Sequence, residues 1–251
     1  MRHADITSVN PRGASEETSG QDNLDYYGVD ASEAMAKTDL EQILDHYDMI
    51  IDTTAEWKVD PHLIAGIISR ESRAGNALVN GWGDHGNAFG LMQVDKRHHN
   101  LQAEWNSKEH LDQGIEILVG FMDEIKKMFP EWSGGKQLRG ALAAYNKGPD
   151  NVRKAVDEGR DVDYYTTGQD YSSDVMARAQ WYMKHCDAIE SDGPPPLVMK
   201  SVAFAKKTGG NVGAPIGAAV GAAVGGPGGA AVGAVVGGAV ANEVAKKAGK
   251  K

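Results

Sequence analysis

Residues 60–75 carry the signals of a helix that directs one acidic side chain toward an apolar environment. Asp60 is a residue type favoured at the N-cap, and Pro61 follows at the first helical position, where a missing N–H costs nothing. Gly75 is a candidate C-terminal stop. Isoleucines stand three, four and seven residues before Glu71, so they share its helix face. The pattern predicts that Glu71 points toward the core, which constrains how the rest of the chain packs.

Burial disfavours a charged carboxylate, and the negative end of a helix adds to that effect. The pKa of Glu71 is therefore predicted to be raised toward the range of a general acid. Arg70 and Arg73 flank it and oppose the shift. The helix alone leaves open the alternative that Glu71 forms an ion pair with one of these arginines.

A glycine-rich segment follows this helix and carries two more carboxylates. Glycines recur around Trp82, Asp84 and Phe89, and a short apolar run ends at Asp95. This composition predicts tight turns and short strands. One protonated acid with ionised partners that hold a water molecule is the constellation of an inverting glycosidase.

Three strings resemble one known family. I-S-R-E-S-R-A-G, G-W-G-D-H-G-N-A-F-G-L-M-Q-V-D-K-R and A-A-Y-N-K-G-P-D-N-V-R are similar to goose-type lysozyme, in the same order, and the resemblance extends over roughly residues 10–189. It implies that Glu71 is the general acid and that Asp84 and Asp95 help to hold the attacking water. How the two aspartates divide that task stays open.

The resemblance also implies an activity and a binding site. It implies hydrolysis, with inversion, of the β-1,4 bond between N-acetylmuramic acid and N-acetylglucosamine in bacterial peptidoglycan, in antibacterial defence outside the cell. It implies glycan-binding roles for His99, Phe121, Tyr145, Asn146 and Tyr171. No metal or organic cofactor is implied, and a monomeric body is expected. The E-S-R, G-L-M-Q and A-Y-N-K-G-P strings also resemble lytic transglycosylases, which remain an alternative.

Helical periodicity continues on both sides of the motif. A long amphipathic helix is predicted from Asp30, a second from Ser107 to Phe129, a short one over residues 135–146, another from about Asp150, and a last one from Ser172. With the resemblance, this predicts a predominantly α-helical α+β protein, with a lysozyme-like fold and a small irregular sheet beside a catalytic cleft. Residues 30–190 form the predicted catalytic domain, after an irregular segment over residues 1–29.

Charge and cysteine content limit the classes of partner. The chain has a net charge of −9, although residues 191–251 hold seven Lys against two acidic residues, so the preceding body is acidic and an unlikely partner for nucleic acid. The first ten residues lack the apolar run of a secretory signal peptide, so a cytoplasmic location is the alternative.

Cys186, the single cysteine, lies on an apolar helical line and is predicted to be a core thiol. His98 and His99 are adjacent, without a third ligand at metal-binding spacing, so no metal site is predicted.

The C-terminal region has a different composition. Residues 191–208 contain G-P-P-P and read as a linker, and residues 209–251 form a tail that is uncharged over residues 209–242. Glycine recurs every fourth residue there, a spacing that lets membrane helices approach closely. Pro227 and the helix cost of glycine, about 1 kcal/mol each, favour a disordered tail instead. Membrane insertion or self-association through residues 209–242, with the tail as the functional part, is the third alternative.

Overall fold

The computed structural model describes residues 5–192. The predicted linker beyond Asp192 and the small-residue tail over residues 209–251 lie outside the described residues. Within the part of the chain that the structure describes, no helix is both long and apolar enough to cross a membrane.

Helices make up most of the fold, as predicted. Over residues 5–192 the α-helices are α1 Glu16–Gly20, α2 Val29–Asp45, α3 Tyr47–Trp57, α4 Pro61–Ser72, α5 Lys108–Met128, α6 Gly134–Lys147, α7 Pro149–Asp157 and α8 Tyr171–Asp192. Short 3-10 helices lie at Ile6–Ser8, Asp84–Gly86 and Thr167–Gln169. The long amphipathic helix predicted from Asp30 is in fact two helices, because His46 adopts φ −107° and ψ −1° between α2 and α3.

The small sheet predicted from the glycine-rich segment is present. Strands β1 Trp82–Gly83, β2 Ala88–Phe89 and β3 Val94–Asp95 form an antiparallel sheet in the order β1-β2-β3. Trp82 pairs with Phe89, and Ala88 pairs with both Gly83 and Asp95. This register places Asp95 in the same row as Gly83, with Ala88 between them, and Asp84 follows Gly83 at the end of β1.

Helix α4 lies at the centre of the molecule. Its residues from His62 to Ser69 are all buried, and α8 packs along it. Gly66 allows the close approach, because a Cβ atom there would lie 2.8 Å from the carbonyl oxygen of Val175 and 3.1 Å from the backbone nitrogen of Ala179. The same helix ends on Glu71 and Ser72, so this crossing fixes the position of Glu71 relative to α8.

Replacing Gly66 by Ala is expected to destabilise the protein by about 1–3 kcal/mol, although Ala is the better helix former, because the new methyl group overpacks the α4–α8 contact. Urea unfolding measures the change. Gly120→Ala in α5 is the matched control: a Cβ there meets nothing within 4 Å, so the propensity gain of up to ~1 kcal/mol should appear. Equal effects of the two variants would contradict the argument.

The N-terminal segment is more ordered than its composition suggests. Ile6 is buried, and the Gln180 side chain donates to the carbonyl oxygens of Ile6 and Val9 at 2.9 and 2.8 Å. The backbone N–H of Ser15 donates to Asp170 at 2.5 Å. The N-terminal segment is therefore held against α8 and the loop before it by hydrogen bonds with the side chains of Gln180 and Asp170, which lie far away in the sequence.

Candidate active site

The α4 helix forms through the predicted start signals. The Asp60 carboxylate caps the helix by accepting from the backbone N–H of His62 at 2.9 Å, and Pro61 occupies the first turn. The predicted stop at Gly75 is wrong by three residues. The helix ends at Ser72 because Arg73 adopts a left-handed conformation with φ +52°.

The pKa of Glu71 is raised, as the sequence predicted. Burial raises its pKa from 4.5 to about 7, against three weaker opposing effects: a hydrogen bond from Tyr171 and the charges of Arg70 and Lys147. The Tyr171 hydroxyl donates to Glu71 Oε1 at 2.5 Å. The negative charge of Asp84 adds to the increase, which places Asp84 within electrostatic range of Glu71.

Arg70 and Arg73, the arginines next to Glu71, form ion pairs with carboxylates other than Glu71. Arg70 donates to Asp174 at 2.8 Å and to Asp170 at 3.1 Å. Arg73 donates to Asp39 at 2.9 Å and also pairs with Asp22. The alternative of an arginine ion pair at Glu71 is therefore wrong, and Glu71 keeps its raised pKa.

Asp84 and Asp95 lie together at the sheet but in different environments. Asp84 is buried, with 5% of its surface exposed, and burial raises its pKa against the effect of Arg97. Burial also acts on Asp95, but hydrogen bonds from Arg97 outweigh it, and the pKa of Asp95 is lowered. Arg97 Nη2 lies 2.5 Å from Asp95 and 3.6 Å from Asp84, so one guanidinium joins the two carboxylates.

The end of α6 brings Tyr145 and Asn146 to the same region. The Tyr145 hydroxyl donates to the carbonyl oxygen of Met92 at 2.8 Å, and its ring meets Phe121 edge-on at 6.5 Å. Asn146 Oδ1 accepts from the backbone N–H of Thr167 at 3.0 Å, so this side chain holds the loop before α8.

His99 follows β3 in the chain. Its side chain is partly exposed, and its backbone N–H donates to the carbonyl oxygen of Asp95 at 3.0 Å. Tyr171 and Asp84 thus both act on Glu71, and Asp95 acts on Asp84. His99 lies on the turn that follows Asp95.

Two charged residues of this group were missed at the sequence level. Arg97 follows Asp95 by two residues, and its sequence signal was only the short spacing. Lys147 ends α6; burial lowers its pKa, while the charges of Glu71 and Asp84 oppose that change, so it lies near both acids. Neither residue stands out by periodicity, because both are cations in a polar loop or at a helix end.

A cavity lies beside Glu71, and the arginines that line it are paired with aspartates. Its lining residues come from the turn after α1, from α2, from α4 and the turns after it, and from α8; they are Gln21, Asp22, Met35, Arg70, Glu71, Arg73, Ala77 and Arg178. All three arginines are paired with aspartates. Within residues 5–192, no group of three or more His, Cys, Asp or Glu side chains is arranged to hold a metal ion.

A buried acid of raised pKa, two nearby aspartates and a mainly helical fold with a small three-stranded sheet define a glycosidase of the lysozyme class. The family model described as Lysozyme g matches residues 3–186. Lysozyme g of Takifugu rubripes is 48% identical over 188 residues, covering 72% of this chain and 97% of that protein. Lysozyme g of Struthio camelus is 48% identical, covering 73% of this chain and 88% of that protein. Lysozyme G of Dromaius novaehollandiae is 49% identical, covering 72% of this chain and 86% of that protein. The chain belongs to the lysozyme g family.

Proposed function

We propose that this lysozyme hydrolyses the β-1,4 bond between N-acetylmuramic acid and N-acetylglucosamine in bacterial peptidoglycan, with inversion at the anomeric carbon. The observation that carries the proposal is the pKa of about 7 for Glu71 beside two aspartates. A carboxyl that keeps its proton near neutral pH can act as general acid while an aspartate acts as base. An extracellular, antibacterial role follows from the same substrate.

The reaction transfers two protons through these side chains. Glu71 donates its proton to the glycosidic oxygen as the bond from that oxygen to the anomeric carbon breaks. A water molecule on the opposite face of the sugar forms a bond to the anomeric carbon and gives one proton to an aspartate. Exchange with solvent then restores the proton on Glu71 and removes it from the aspartate.

Mass spectrometry of the muropeptides released from purified peptidoglycan tests the proposal. Products with a reducing-end muramic acid are expected. The alternative is a lytic transglycosylase, in which the sugar's own hydroxyl attacks and gives an anhydro product. Hydrolysis is favoured by the two aspartates beside Glu71, which can hold a water. Anhydro products would overturn the proposed function. A role for residues 209–242 in membranes or self-association stays a prediction.

Activity should fall as the pH rises through about 7, because Glu71 must be protonated to act. Tyr171→Phe removes the hydroxyl that stabilises ionised Glu71, so the pKa of Glu71 should rise further. The alkaline limb of the pH–rate profile is then expected to move up by roughly one unit, since one such hydrogen bond contributes about 1–1.5 kcal/mol.

Tyr182→Phe is the control for this shift. The Tyr182 hydroxyl is also buried, but it donates to the carbonyl oxygen of Ala36 at 3.0 Å and not to Glu71. Its removal should leave the alkaline limb where it is in the unsubstituted protein. A limb that stays in place for Tyr171→Phe, or moves equally in both variants, would contradict the role given to the Tyr171 hydroxyl.

A further inference from the structure

Arg97 engages both carboxylate oxygens of Asp95. Its Nε atom lies 2.9 Å from Oδ1 and 3.0 Å from Oδ2, and its Nη2 atom lies 2.5 Å from Oδ2. The backbone N–H of Arg97 also donates to Oδ1 at 2.8 Å. Four donor contacts from one residue therefore fix Asp95 and fill most of its capacity to accept further hydrogen bonds.

Asp84 presents the opposite situation. It is 5% exposed, and its Oδ2 atom accepts no hydrogen bond from any residue within 5–192. Arg97 Nη2 lies 3.6 Å from that oxygen, which is beyond hydrogen-bonding distance. A buried carboxylate oxygen without a donor is costly in a folded protein unless another molecule, such as water, satisfies it.

The backbone supports the same distinction. Asp84 adopts φ +45°, a left-handed conformation that is uncommon for residues other than glycine. Strain of this kind persists where the surrounding structure fixes it, and it often accompanies function. Asp84 has this conformation at the point where β1 ends and the 3-10 helix Asp84–Gly86 begins.

We propose that Arg97 is a positioning residue that holds Asp95 as its fixed counter-ion and leaves Asp84 Oδ2 as the acceptor of the proton from the attacking water. The inference rests on the proposed hydrolytic function. As the bond between the water oxygen and the anomeric carbon forms, one O–H bond of the water breaks and its proton moves to Asp84 Oδ2. Asp95 takes no proton in this step.

The pH dependence of Asp84 reflects several neighbours. Glu71 from α4, Asp95 at β3, and the basic side chains of Arg97, Lys147 and His85 all act on this part of the site. Arg97 favours the ionised form of Asp84, whereas Asp95 disfavours it. Loss of the Arg97 charge should therefore raise the pKa of Asp84, and further loss of the Asp95 charge should bring it back down.

Four variants separate the roles: Asp84→Asn, Asp95→Asn, Arg97→Gln and the double variant Arg97→Gln/Asp95→Asn. Rates of release of reducing-end muropeptides are measured across pH. Asp84→Asn should lose at least about 10²-fold in rate, as expected for a general base. Asp95→Asn and Arg97→Gln should each lose roughly tenfold, and the double variant should be no slower than the slower single variant, because both act through one ion pair.

The acidic limb of the pH profile provides a readout that a merely structural role would not change. Arg97→Gln should move this limb to higher pH, and adding Asp95→Asn should move it back toward its original position. Arg97→Lys keeps the positive charge but not the paired geometry. Compared with Arg97→Gln, it should return the acidic limb to its original pH while the rate stays lowered. Urea midpoints of all variants exclude loss of folding as the cause.

The outcomes distinguish this inference from the proposed function. Reducing-end products from the unsubstituted protein, together with Asp95→Asn as the most impaired aspartate variant, would overturn the inference and leave hydrolysis standing. Multiplicative losses in the double variant, or an acidic limb that does not move, would overturn it equally. Absence of reducing-end products from the unsubstituted protein would instead refute the proposed function.

Discussion

Glu71→Gln is expected to lose nearly all turnover, at least about 10³-fold, while the fold stays intact. Gln has almost the same size as Glu, and its carbonyl oxygen can still accept the hydrogen bond from Tyr171. It has no proton to give to a leaving oxygen. The rate of muropeptide release from purified peptidoglycan measures the loss, and binding to the same peptidoglycan should persist.

The same substitution should stabilise the protein at alkaline pH. Folding raises the pKa of Glu71 from 4.5 to about 7, so the folded state holds a proton that the unfolded state has released in this window. The free energy of unfolding must therefore fall as the pH rises from about 4.5 to about 7. Above pH 7 the unsubstituted protein carries a charge on Glu71 in this site, whose cost is on the order of 3 kcal/mol. Gln avoids that cost.

Urea unfolding at pH 5 and pH 8 measures this difference. The Gln variant should gain stability over the unsubstituted protein at pH 8 and much less at pH 5. Glu116→Gln in α5 is a control at an exposed position, where no such gain is expected. Substantial residual turnover in Glu71→Gln would refute the assignment of the general acid, and equal stability at pH 8 would refute the raised pKa.

Local signals were sufficient to predict the elements that carry the acids. Caps and periodicity are properties of neighbouring residues, so Asp60 predicted the start of α4 and Ser107 predicted the start of α5. The glycine-rich turns predicted the small sheet for the same reason. The raised pKa of Glu71 followed from the isoleucine stripe on its helix face, and Cys186 is buried as its helical line predicted.

Long-range polar contacts were not predictable in this way. Arg70 and Arg73 were expected to oppose the pKa shift of Glu71, or one of them to pair with it, and their true partners lie elsewhere in the chain. Arg70 contacts Asp174, 104 residues away, and Arg73 contacts Asp39, 34 residues away. Nothing in the local pattern marks an arginine whose charge is neutralised by such a partner. The predicted competition at Glu71 therefore appeared stronger than it is.

A buried ionic network occupies the space between α2, α4 and α8. Asp174 is fully buried and accepts from Arg178 Nε at 3.0 Å and from Arg70 Nη1 at 2.8 Å. Ser32 also donates to it at 2.6 Å. Arg178 continues the network by donating to Ser69 at 2.9 Å. Since Arg70 precedes Glu71 directly, this network supports the helix end that presents the proposed general acid.

Asp174→Asn is expected to destabilise the protein by about 3–5 kcal/mol, because it leaves two guanidinium groups buried without their shared counter-ion. Burial disfavours ionised Asp174, but Arg178 and Arg70 outweigh that effect and lower its pKa. This stabilisation is therefore present above the ordinary pKa of 3.8 and is lost as the pH falls below it. Urea unfolding at pH 7 and pH 3 should show a large difference in the free energy of unfolding between the two proteins at pH 7, and a smaller difference at pH 3.

Asp161→Asn removes a partly exposed ion pair with Arg139 and should cost at most about 1 kcal/mol. A loss at Asp174 no larger than that control would mean that the network contributes little net stability and that apolar packing of α4 against α8 alone holds Glu71 in place.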